Sequence, residues 1–98
     1  MAATIGAARV SLYLEESFSL KDKRQVVRSI TQKVRNQFNV GIAEVEDLDD
    51  ARVATLAIVC VSNSAPHADE MLQTVIRFVE QRVEIGVVGE IETEMIPY

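Results

Sequence analysis

Residues 52–61, RVATLAIVCV, decide the fold. In an extended chain Ala54, Leu56, Ile58 and Cys60 fall on one face, and Val53, Ala57, Val59 and Val61 on the other. Both faces are apolar. A strand that is apolar on both sides belongs in the middle of a sheet, because a half-solvated strand alternates apolar with polar.

Upstream of this strand, Glu46–Asp50 (EDLDD) is an acidic turn, and Val40–Val45 alternates as a shorter strand. Asp47 and Asp49 have the i,i+2 spacing of a calcium loop. The glycine and distal glutamate that such a loop needs are missing, so the run reads as a solvated turn. Downstream, Ser62-Asn63-Ser64 offers helix caps and Pro66 suits a first helical turn. Ala68, Met71, Leu72, Val75, Ile76 and Val79 keep the helical period to about Arg82. Gly86 breaks the chain. Val87–Ile96 is a last strand, with Glu90, Glu92 and Glu94 alternating against Ile91, Thr93 and Met95. Charges along an edge strand discourage edge-to-edge aggregation.

At the other end, Ile5–Leu14 alternates as a half-buried strand, with Ala8, Val10, Leu12 and Leu14 on its inner face. Glu15–Phe18 connects it to a helix over Ser19–Phe38, SLKDKRQVVRSITQKVRNQF. Ser19 is the expected N-cap, and Asp22 at the third helical position makes a weaker form of the capping box. Val26, Val27, Ile30 and Val34 span the apolar face, with Leu20 and Phe38 at its border. Lys21, Arg24, Arg28, Gln32 and Arg35 share the opposite face as a basic stripe. Lys23 and Lys33 lie elsewhere, closer to the apolar side.

The element order is therefore β-α-β-β-α-β. It predicts an α+β, ferredoxin-like domain: a four-stranded antiparallel sheet with two helices on one face, the first and third strands in its centre. Ninety-eight residues fit a single domain, 1–98, with enough apolar residues (48%) to build a core without metals or disulfides. The lone cysteine, Cys60, precludes an intrachain disulfide and a cysteine zinc site. No apolar run reaches membrane-spanning length, and MAATIGAARV lacks the charge and apolar core of a secretory signal, so a cytoplasmic location is expected.

Net charge is −5, which argues against generic nucleic-acid binding, but the charge is uneven. Residues 1–38 carry +4 and residues 39–98 carry −9. Such asymmetry marks either a local anion-binding face or two halves that neutralise each other, within the fold or across a dimer.

The run Ser19-Leu20-Lys21-Asp22-Lys23-Arg24, Phe38-Asn39-Val40 leading to Ala43-Glu44-Val45, and Val61-Ser62-Asn63 together resemble the YlxP-like family. These are small bacterial proteins catalogued as a domain of unknown function. The likeness runs from Ile5 to Ile96, and SLKDKR is its most specific part. It implies a ferredoxin-like fold and no established activity. Family genes often lie beside translation and ribosome-maturation genes, including that for ribosome-binding factor A, which implies a ribosome or RNA association. Family members often carry an aromatic residue, typically Trp, before the third strand. This chain has Asp49-Asp50 there and no Trp.

The candidate anion- or RNA-binding residues are Lys21, Lys23, Arg24, Arg28 and Arg35. Bases near a helix N-terminus add to the positive end of the helix dipole, and the helix offers them no i,i+3 or i,i+4 acid. An external phosphate would relieve them. So would Glu15, Glu16, the 46–50 loop or a second subunit. Base stacking on sheet aromatics is not expected, since only Tyr13 faces out of the sheet. His67 reads as a surface helix residue and Cys60 as an inert core thiol. The glycines form no phosphate loop.

The sequence thus predicts no enzyme and no cofactor or metal. It predicts a binding module for ribosomal RNA or a ribosomal particle, or a homo-oligomer, a dimer, that covers the open sheet face. No membrane partner is expected.

Overall fold

The computed structural model describes residues 3–15, 19–83 and 86–98. The elements are β1 (Thr4–Leu14), α1 (Leu20–Gln37), β2 (Gly41–Glu46), β3 (Val53–Ser62), α2 (Ala65–Arg82) and β4 (Gly86–Pro97). The strands form one antiparallel sheet in the order β2-β3-β1-β4. This is the ferredoxin-like arrangement, with β3 and β1 central. Of the predicted connection Glu15–Phe18, residues 16–18 lie outside the described residues.

One face of the sheet carries the core. Val10, Leu12, Ala54, Leu56 and Ile58 are wholly buried there. Val27, Ile30 and Val34 of α1 and Ala68, Leu72, Val75, Ile76 and Val79 of α2 pack on them. Each Val, Leu or Ile among them contributes about 1.5–3 kcal/mol by leaving water. Ser64 caps α2 by accepting from the His67 amide, with Pro66 in the first turn.

The two faces of β3 are apolar, as its sequence reads, but only one is covered. Across the open face Val61 pairs with Ile5 and Ile5 with Ile96, giving an apolar row at one end. Val61 is 68% exposed, Val59 45% and Ile96 37%. In the middle, Arg9 lies between Ala57 and Glu92 and reaches Glu46 of β2 at 2.9 Å. At the other end the Tyr13 ring lies against Gly89, where any Cβ would strike it. Gly86 begins β4 rather than merely ending a loop. It approaches the Tyr13 carbonyl so closely that a Cβ would collide with it.

Candidate functional site

The SLKDKR run divides into a structural half and a solvent half. Ser19 Oγ accepts from the Asp22 amide at 3.0 Å, and Asp22 Oδ2 accepts from the Ser19 amide at 3.2 Å. The capping box is therefore reciprocal, with Asp in the place usually taken by Glu. The Ser19 backbone N–H, and then its hydroxyl, hold the Asp22 carboxyl below the usual carboxylate range. A fixed negative charge here offsets part of the positive helix end.

Lys23 departs from its expected role. It is wholly buried and does not belong to the exposed anion-binding face. Its ammonium donates to the carbonyls of Asp47 (2.8 Å), Leu48 (3.2 Å) and Val53 (3.1 Å). That uses all three donors of an ammonium. Glu44 Oε2 lies 2.8 Å away and balances the charge. That oxygen is buried and has no hydrogen-bond donor of its own, so the contact is an ion pair rather than a fourth hydrogen bond. The acidic turn is thus not simply solvated. Its main chain wraps a cation supplied by α1. Asp47 takes a left-handed conformation (φ 58°) within it, and its carboxylate accepts from the hydroxyl of the buried Thr55 at 3.2 Å.

Two further acids of this region are engaged. Glu46 pairs with Arg9, and Asp50 accepts from the Arg52 amide (2.9 Å) and its Nε (3.4 Å). These contacts, led by the backbone amide, hold the Asp50 carboxyl below its ordinary value. Among the described residues no ion pair reaches Lys21, Arg24 or Arg28, all of them exposed. Glu44, Glu46 and Asp50 therefore pair with Lys23, Arg9 and Arg52 and leave the outer stripe alone. Of the other expected counter-charges, Glu15 is exposed and makes no ion pair among the described residues, and Glu16 lies outside them.

Arg35 is exposed but partly committed. Its Nη2 donates to the Ile42 carbonyl at 2.8 Å, on the edge strand β2. A cation held there blunts an open sheet edge. Among the described residues the helix thus presents Lys21, Arg24 and Arg28 as exposed cations without an ion pair, and Arg35 as a half-occupied continuation.

The other reactive side chains have ordinary surroundings. His67 Nδ1 is 2.9 Å from Ser62 Oγ at the surface. Cys60 is buried, and burial pushes its thiol up, away from the thiolate a nucleophile needs. Among the described residues no three His, Cys, Asp or Glu side chains gather to hold a metal, and no helix is long and apolar enough to cross a membrane.

Sequence and structure comparisons agree with this framework. The family model described as "Protein of unknown function (DUF503)" matches residues 5–91. The uncharacterized protein YlxP of Bacillus subtilis (strain 168) is 35% identical over 81 residues, covering 83% of this chain and 88% of the relative. Among solved structures, the de novo designed protein Foldit4 superposes with a TM-score of 0.54 at 12% identity, covering 96% of each chain. A dimeric ferredoxin-like protein of unknown function from Thermobifida fusca gives 0.50 at 11% identity, covering 96% of this chain and 92% of the other. At these identities the structural matches speak for the fold alone.

Proposed function

This chain belongs to the DUF503 family, and from that premise we propose that it is a non-catalytic binding module of ribosome maturation or translation. It contacts RNA or ribonucleoprotein through the solvent face of α1. The carrying observation is the separation of charges around that helix. Every ion pair among the described residues ends on Lys23, Arg9 or Arg52, and Lys21, Arg24 and Arg28 are exposed with no ion pair among those residues. Arg side chains suit this task because their planar fork matches a phosphate bidentately. The acidic remainder of the chain opposes non-specific binding, which favours a partner read by this face alone. Co-sedimentation with ribosomal particles tests the proposal. The R24E/R28E double variant should stay in the supernatant at low salt, where the wild type pellets. Pelleting of that variant contradicts it.

The exposed row Val61–Ile5–Ile96, with Val59 beside it, favours a second reading that is compatible with the first. In it a second copy covers the open sheet face, and the dimeric ferredoxin-like protein from Thermobifida fusca lends it support. Sedimentation velocity separates the cases, since a monomer at micromolar concentration removes this reading.

A further inference from the structure

The basic face of α1 does not stop at Arg28. Gln32 and Asn36 continue it along the helix, four residues apart and joined by a side-chain hydrogen bond of 3.5 Å. From Arg28 to Asn36 is about 12 Å along the axis. At that point the track meets the last turn of α2. Lys33, Asn36 and Gln37 of α1 and Phe78 and Arg82 of α2 enclose an open crevice of about 490 Å³.

Among the described residues the crevice is lined by two cations, two amides and an aromatic ring, and by no carboxylate. The Arg82 guanidinium carbon sits 3.7 Å above the Phe78 ring centroid. Phe78 in turn meets Phe38 edge to face at 5.1 Å and 82°. The stack Phe38–Phe78–Arg82 fixes a flat cation at the mouth, with its outer side toward solvent, because Arg82 is exposed while Phe78 is 8% exposed. A planar guanidinium held over a ring is a platform for an unstacked base. The Lys33 ammonium is a point charge suited to a phosphate. The Asn36 and Gln37 amides each offer a donor and an acceptor, as a base edge requires.

We infer that this crevice takes one nucleotide of a single-stranded RNA: the base stacks on the outer side of Arg82, and a flanking phosphate meets Lys33. The inference rests on the proposed RNA contact of α1 and adds to it the nucleic-acid class. A duplex keeps its bases stacked and has none to offer Arg82, so it would engage only the α1 cations.

The test is fluorescence anisotropy with a labelled 12-nucleotide oligoadenylate and a labelled RNA duplex, with unlabelled AMP as competitor. R82K keeps the charge and loses the flat platform. It should weaken oligoadenylate binding by about tenfold and leave duplex binding unchanged. K33Q should lower the salt slope for oligoadenylate by about one phosphate contact. AMP should compete only weakly, since it lacks the α1 contacts; strong competition by AMP overturns the assignment to RNA. If R82K and K33Q bind oligoadenylate as the wild type does, while R24E/R28E does not, the crevice is overturned and the α1 reading stands. If R82K weakens binding and R24E/R28E does not, the crevice stands and the α1 reading falls. Absence of wild-type binding to both RNAs overturns both.

Discussion

The ammonium of Lys23 lies 2.8 Å from Glu44 Oε2, inside a ring of three backbone carbonyls, whereas its sequence neighbour Arg24 faces solvent. One turn of helix therefore carries two unlike cations. The first ties α1 to β2 and to the turn before β3. The second is free for a partner.

Replacing Lys23 tests the first role. K23M leaves Glu44 as an unpaired, largely buried charge and strips three carbonyls of their donor, so it should cost about 3–5 kcal/mol. Urea unfolding measures it. E44Q removes only the charge and should cost less, about 1–3 kcal/mol. A K23M variant as stable as the wild type would show that the cage does not hold the loop.

The outer cations should behave in the opposite way. R24E/R28E removes no side-chain hydrogen bond or ion pair among the described residues and should stay within about 0.5 kcal/mol of the wild type in the same experiment. A large loss would mean that these arginines brace the structure and are not a free surface.

The capping box makes stability depend on acid. Asp22 has an ordinary carboxyl value of 3.8, and its folded value is lower. Its contribution is therefore complete above the ordinary value and is lost as pH falls through the folded one. The stability difference between wild type and D22N should be full at pH 6 and shrink toward pH 2. A difference that grows on acidification would contradict the sign. S19A removes the other half of the box and should cost about 1 kcal/mol at neutral pH.

The open sheet face carries the prediction on assembly. If a second copy covers it, V59D/V61D should shift sedimentation velocity from dimer to monomer without unfolding the chain, because both side chains are exposed. A wild type that sediments as a monomer at micromolar concentration contradicts that reading outright.

How far the sequence went follows from the range of each interaction. The place of β3 and the reciprocal box of Ser19 and Asp22 were legible because their signals lie within a few residues. The true role of Lys23 was not, because its hydrogen-bond acceptors are main-chain carbonyls at least 24 residues away, and a carbonyl leaves no mark in sequence. One clue was available. At 100° per residue Lys23 falls between Ile30 and Val34, inside the apolar arc, where a cation needs a buried partner. An acidic turn downstream was the place to look for it. Arg35 escaped for the same reason, its acceptor being the Ile42 carbonyl. The crevice of Lys33 and Arg82 joins two helices distant in sequence, and only the folded chain brings them together.

The measurement that bears most directly on the central claim is co-sedimentation of wild type and R24E/R28E with ribosomal particles at low and high salt. The wild type should pellet at low salt and be released as salt rises, since phosphate contacts exchange for counterions. The double variant should remain soluble at both. Equal pelleting of the two proteins would contradict the claim that the solvent face of α1 is the binding surface.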